Sequence, residues 1–212
     1  GDKLDAVLSR YRSIAGGLGM PEEILASIEE NLHQRLSLDK SNPEKFTDSM
    51  KAAGEDNCAR LIAGYLNGIG KEAHYVNPGE AGLLLSSEYG NARVLPESYE
   101  KLKSLKDMPG IKIFPGFFGY SREGDVVTFS RGGSDVTGSI LAAAVDAECY
   151  ENFTDVDSVF CVDPNIVSNP HSITELTYRE MRELSYSGFS VFHEEALVPV
   201  YRKGVPVCIK NT

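Results

Sequence analysis

The stretch Thr128-Phe-Ser-Arg-Gly-Gly-Ser-Asp-Val-Thr-Gly138 constrains this chain most. It follows the β-branched pair Val126-Val127 and leads into Ile140-Leu-Ala-Ala-Ala-Val145, which reads as a helix. Gly132 and Gly133 permit a tight turn and let backbone approach a ligand closely. Ser134 is a good helix N-cap, and Asp135 suits the first turn, where the helix dipole favours negative charge. Open N–H groups at such a start face an anion, and Arg131 adds a fork-shaped cation beside them. This strand–turn–helix can hold a carboxylate or a phosphate. The same residues also read as plain helix capping.

The 212 residues suffice for one generous domain or two small ones. A net charge of −10 and a pI of about 4.9 argue against nucleic acid or an anionic membrane as partner. No apolar run approaches the roughly 18 residues that span a bilayer, and no signal peptide opens the chain. Cys58, Cys149, Cys161 and Cys208 are scattered, with no C-x-x-C pair, so a reduced, cytoplasmic protein is expected. The four histidines lack metal-ligand spacing, and no metal site is expected.

Along the chain, Leu4, Val7, Leu8, Tyr11 and Ile14 predict an amphipathic helix over 3–15. Gly16-Gly17-Leu-Gly19 breaks it, and Pro21 opens a second helix with Ile24, Leu25, Ile28, Leu32 and Leu36 on one face. A third helical pattern runs from about Glu44 to Ile69, with Gly54 expected to interrupt it for a packing or close-approach reason. Glu55 and Asp56 beside it read as solvated helix-face charges. Strands are expected at 73–76, 83–86 and 92–95, then a helix from Pro96 to about Leu105. Ile111-Lys-Ile-Phe114 reads as a buried strand ending in Pro115-Gly-Phe-Phe-Gly119, where Gly116 and Gly119 form a weak phosphate-cradle pattern. Phe117, Phe118 and Tyr120 read as core or rim aromatics.

A hairpin turn at 120–125 precedes the strand 126–129. Cys149-Tyr-Glu-Asn-Phe153 is a further strand, with Thr154, Asp155 and Asp157 at its carboxyl end, where open α/β sheets collect ligands. A strand–helix–strand unit over 126–153 would then place Arg131, Asp135 and Asp155 on one rim. Thr177-x-x-Glu180 is a capping box, Gly188 and Gly204 end helices, and Val205–Ile209 is a last strand. Alternating strands and helices indicate a largely parallel sheet covered on both faces.

Taken together, Ser130-Arg-Gly-Gly-Ser-Asp135, Phe153-Thr-Asp-Val-Asp157, Asp163-Pro164, Leu184-Ser-Tyr-Ser-Gly188 and Val205-Pro-Val207 resemble aspartate kinase in order and spacing. Gly54-Glu55, Pro115-Gly116-Phe117 and Gly119 fit the same family, so the resemblance covers essentially the whole chain. It implies an α/β amino-acid-kinase (carbamate-kinase-like) fold, a three-layer αβα sandwich with a mainly parallel open sheet. Residues 1–212 would form a catalytic domain, helical over about 1–70 and nucleotide-binding over about 110–212. The implied reaction is ATP-dependent phosphorylation of the L-aspartate side chain, with Mg²⁺ on the ATP, the first step towards lysine, threonine and methionine. A homodimer is implied as well.

By the same resemblance, Arg131, with Gly132, Gly133 and Ser134, grips a substrate carboxylate, and Glu55 and Asp135 face the substrate ammonium. Gly116, Thr154, Asp155, Phe160, Asp163, Pro164, Asn165 and Ser190 line the nucleotide site. Three departures stand out. Asn165 occupies a place where many members carry Arg, and Ser190 one where they often carry Lys. The family's opening Lys-Phe-Gly-Gly-Ser strand has no counterpart, and the family usually continues beyond Thr212 into ACT regulatory domains, so a partial catalytic domain is expected. The rival expectations are another amino-acid kinase, such as one acting on acetylglutamate, and an inactive interaction fragment.

The chemistry can be reasoned without the resemblance. An aspartate side chain, with a reference pKa of about 3.9, is already an ionised nucleophile at neutral pH and needs no general base. The harder task is bringing two anions together, which falls to positioning and to cations such as Arg131.

Overall fold

The predicted helical pair at the start of the chain forms because its apolar faces meet. In the computed structural model, which describes residues 2–154, 159–160, 167–168, 171–186 and 194–212, α1 spans Asp2–Gly17 and α2 spans Glu22–Leu36. Leu8 and Ala15 of α1 pack with Ile28 and Leu32 of α2, and the cluster is completed by Ala53 and Leu61 of α3 (Pro43–Gly68). Burying a leucine or isoleucine contributes about 1.5–3 kcal/mol, so these few residues dominate the local stability. Asn42 caps α3, its side chain accepting from the Lys45 N–H at 3.1 Å, and Pro43 occupies the first helical position.

Two expectations about α3 are corrected. The helix runs unbroken for 26 residues through Gly54, and a Cβ at that position would meet nothing within 4 Å. The packing of its flanks outweighs the roughly 1 kcal/mol penalty of one glycine. Glu55 is exposed as expected, but Asp56 is only 2% exposed and belongs to a buried ionic network.

The chain divides into two compact units, Gly1–Ser130 and Arg131–Thr212. In the first, β1 (Ala73–Tyr75) is followed by α4 (Pro78–Ala81), α5 (Glu97–Leu102) with a 3-10 turn at Lys103–Lys106, and β2 (Ile111–Ile113). β2 lies parallel to β1, with Ala73 opposite Ile111, and is half-buried rather than buried, Ile111 being 45% exposed. The segments 83–86 and 92–95 contribute only single bridges, Leu84 with Tyr120 and Leu85 with Val94.

The glycine-containing run after Phe114, read as a weak phosphate-cradle pattern, leads into a further strand. β3 (Phe118–Tyr120) pairs antiparallel with β4 (Val126–Thr128) around the turn at 121–125. Phe118 is fully buried, and a Cβ at Gly119 would come within 2.9 Å of the Leu83 carbonyl, so this glycine serves close packing. From α3, Asp48 accepts the backbone N–H groups of Thr128 (2.8 Å) and Gly90 (2.7 Å), fastening β4.

The second unit holds α6 (Gly133–Ala144), β5 (Tyr150–Thr154), β6 (Val159–Phe160), β7 (Ser172–Ile173), α7 (Tyr178–Tyr186), a 3-10 turn at Glu194–Leu197, α8 (Val198–Lys203) and β8 (Val207–Asn211). β5 and β8 are parallel, in register Tyr150 to Val207, and β6 and β7 are antiparallel. The expected strand–helix–strand unit over 126–153 is divided between the units: β4 pairs with β3 within the first, and β5 with β8 within the second. The core of this unit gathers Ala142, Met181, Ala196, Leu197, Val200 and Val205. The capping box forms as read: Thr177 Oγ1 accepts the Glu180 N–H at 3.2 Å, while the Glu180 carboxylate accepts the Thr177 N–H at 2.8 Å. Gly204 ends α8 in the left-handed conformation, at φ 69°.

Candidate active site

Gly132, at φ 66° and ψ 22°, is the residue that turns the chain into α6. Only glycine adopts that conformation without strain, so it takes the N-cap position itself, and no side chain caps the helix. This corrects the N-cap role read for Ser134, which sits inside the first turn and is exposed. Gly133 is buried, Thr137 Oγ1 donates to the Gly133 carbonyl at 2.8 Å, and Arg131 is exposed just before the helix. The first-turn N–H groups and Arg131 therefore come together at one helix start, where no side chain among the described residues makes a capping hydrogen bond.

Asp135 completes that helix start and is held from β5. Asn152 Nδ2 donates to Asp135 Oδ1 at 2.8 Å, and the same amide group contacts the Tyr150 hydroxyl at 3.1 Å. The Tyr150 hydroxyl in turn donates to the Asp135 backbone carbonyl at 3.2 Å. Burial above all pushes the Tyr150 phenol above its ordinary pKa, so it stays a donor at neutral pH. Gly138 makes room for this ring, since a Cβ there would lie 2.6 Å from the Tyr150 oxygen. Asn152 and Tyr150 were not singled out from sequence; their alternation on β5 was the available signal.

Of the other expected site residues, Thr154 ends β5 two places beyond Asn152, and its carbonyl accepts the Thr212 N–H at 3.1 Å. Phe160 lies in β6. Asp155, Asp163, Pro164, Asn165 and Ser190, with Asp157 and Gly188, lie outside the described residues. Glu55 on α3 and Gly116 between β2 and β3 belong to the first unit. Beside Gly116, Phe117 has φ 76°, an unusual value for a side chain of this size, and its carbonyl accepts the Phe129 N–H at 2.9 Å.

A cavity of about 650 Å³ opens between α7 and α8, lined by Leu176, Tyr178, Met181, Arg182, Leu197 and Tyr201 among others. None of the expected site residues that are among the described ones lines it. Among the described residues no cluster of three or more His, Cys, Asp or Glu could hold a metal ion, and no helix is long and apolar enough to cross a membrane.

A model of the amino acid kinase family matches residues 6–211. The chain belongs to the amino acid kinase family. Within it, this chain is 58% identical over 98% of its length to Aspartokinase 3 of Bacillus subtilis, of which it covers 46%. It superposes with a TM-score of 0.77 on a crystal structure of Clostridium acetobutylicum aspartate kinase, at 36% identity, covering 99% of this chain and 45% of that one. Against Escherichia coli aspartokinase III in complex with aspartate and ADP, the TM-score is 0.76 at 26% identity, covering 99% and 48% of the two chains. The chain thus spans just under half the length of these relatives. Its α/β fold is that of the amino acid kinases, and the resemblance to aspartate kinase drawn from the motifs holds along almost all of it.

Proposed function

We propose that this chain is part of an aspartate kinase, which transfers the γ-phosphoryl group of ATP to the side-chain carboxylate of L-aspartate. The observation that carries the reading is the 58% identity to Aspartokinase 3 over 98% of the chain. It is supported by the E. coli relative, whose structure is described as a complex with aspartate and ADP.

In this reading the Arg131 fork takes the α-carboxylate of aspartate, joined by N–H groups at the start of α6. The Asp135 carboxylate, tethered by Asn152, receives the substrate ammonium together with Glu55. The side-chain carboxylate, already ionised, attacks the γ-phosphorus. The bond from that phosphorus to the bridging oxygen breaks, and ADP leaves with the electron pair. Thr154, Asp155, Phe160, Asp163, Pro164, Asn165, Ser190 and Gly116 serve the nucleotide. Mg²⁺ belongs to the substrate, arriving on the ATP phosphates. The same reading includes a homodimer, which light scattering can check.

The test is the whole protein containing this chain, assayed with ATP and Mg²⁺ and with hydroxylamine to trap the acyl phosphate. Aspartyl hydroxamate that depends on ATP is expected. ADP release with N-acetylglutamate but not with aspartate would overturn the assignment.

A further inference from the structure

Four cysteines that look unrelated in the sequence include two that meet in the fold. Cys149 immediately precedes β5, and Cys208 is the second residue of β8. The parallel register sets Glu151 opposite Cys208, so Cys149 stands just ahead of the paired residues and on the same side of the ladder as Glu151. The two Sγ atoms are 3.4 Å apart, although 59 residues separate them, and both side chains are exposed. A disulfide needs its sulfurs about 2.05 Å apart, so a small approach turns this contact into a bond.

We propose that Cys149 and Cys208 form a redox modification site, a reversible cross-strand disulfide that staples β8 to β5. With hydrogen peroxide as oxidant, one thiolate attacks a peroxide oxygen, the O–O bond breaks and hydroxide leaves, giving a sulfenic acid. The second thiolate attacks that sulfur, the S–O bond breaks, and the S–S bond forms as a second hydroxide leaves. The two thiol protons convert both hydroxides to water, so two thiols are oxidised and one peroxide is reduced.

The surroundings set the rate. Glu151 and Lys210, ion-paired across the same two strands, share the exposed side of the ladder, and Tyr178 lies within electrostatic reach of Cys149. The contact with Cys208 foremost, then desolvation, holds the Cys149 thiol above its ordinary pKa. Oxidation is therefore slow at neutral pH and speeds up as thiolate appears. In a reducing compartment the pair rests as thiols, and such cysteines act as conditional rather than permanent cross-links.

The experiment exposes the protein to hydrogen peroxide and then to dithiothreitol, with free-thiol titration, intact mass and peptide mapping. Expected are the loss of two of this chain's four thiols, a mass lower by two hydrogens, and a linked peptide pair carrying Cys149 and Cys208. Dithiothreitol should reverse all three. The oxidised form should melt about 5 °C or more higher, with slower amide exchange in β8. Cys149→Ser and Cys208→Ser should each abolish the cross-link, while a Cys58→Ser, Cys161→Ser double variant retains it. Survival of all four thiols, pairing through Cys58 or Cys161, or oxidation of one cysteine to the sulfinic acid would each overturn the proposal.

Discussion

Asp56 and Asp135 are both held by an asparagine on a neighbouring element, yet the two carboxylates end in opposite circumstances. Asp56 accepts from Asn31 at 3.0 Å, pairs with Arg35 at 2.8 Å, receives the Tyr75 hydroxyl and lies 3.7 Å from Arg60, all while 2% exposed. Its oxygens are saturated by the protein. Asp135 takes the Asn152 amide and stays half-buried, and no other side chain among the described residues bonds its carboxylate. A carboxylate whose every partner is internal serves the fold. One fixed at a single oxygen is oriented and still has bonding capacity to offer.

The largest effect that would test this contrast is Arg35→Ala. It leaves the Asp56 charge buried against the remaining neutral donors and Arg60, and about 3–5 kcal/mol of stability should be lost. Urea unfolding followed by circular dichroism measures it, and a loss below about 1 kcal/mol would mean the network is dispensable.

Arg131→Ala should do the reverse. In the whole enzyme kcat/KM for aspartate should fall about 10²–10³-fold, in line with removal of one charge-stabilising group, while the KM for ATP and the urea midpoint move little. Arg131→Lys should recover only part of the loss, because an ammonium cannot bind bidentately. Unchanged kinetics for aspartate would remove Arg131 from the site.

A smaller change is expected from Asn152→Leu, which frees the Asp135 carboxylate without touching Arg131. A stability loss of about 1 kcal/mol and a roughly tenfold fall in kcat/KM for aspartate should appear together, since the tether orients a group rather than reacting itself. Steady-state kinetics on the variant, kept well below its melting transition, would sharpen the comparison. An Asn152 variant with full activity would break it.

The smallest effect concerns the more exposed pair Tyr89 and Asp125. Burial, then the hydrogen bond to Asp125 (2.8 Å), pushes the Tyr89 phenol up to about 12, while the Lys45 ammonium at 2.5 Å holds Asp125 below its usual value. The signs differ. The Tyr89 contribution is present below the ordinary tyrosine value and is lost as pH rises towards 12. The Asp125 contribution is present above the ordinary carboxylate value and is lost as pH falls below it. Tyr89→Phe should flatten the alkaline limb of a stability–pH curve, and Asp125→Asn the acid limb. A Tyr89→Phe curve superimposable on the parent would contradict the alkaline assignment.

What could be read from sequence was local. The apolar spacing of Leu8, Ile28 and Leu32, the Thr177–Glu180 box and the Gly204 stop act within a few turns, and each appears in the fold. What could not be read depends on partners far along the chain. Asp56 looks like any helix-face charge until Arg35 arrives from 21 residues away. Asn152 looks like a polar strand residue until α6 packs over it. β3 was hidden because Gly119, a breaker by composition, is required there by the Leu83 carbonyl. The motif 130–135 was legible as chemistry, but its cap was misassigned, because Gly132 and Ser134 both suit a helix start and only the backbone angle separates them.

The carboxylate of Asp48 carries a consequence for the order in which this chain is made. It is synthesised 80 residues before Thr128, whose N–H it must accept, and 42 before Gly90. At about 5–20 residues per second, the ribosome leaves it waiting about 4–16 s. Throughout that interval α3 can coil, but Asp48 has neither of these two N–H groups until Gly90 is made and only that one until Thr128 follows. Val127, wholly buried in the finished structure, is not yet in the chain. The nascent first unit must therefore remain open along one side of its longest helix until β4 emerges, and a chaperone would find it in that state.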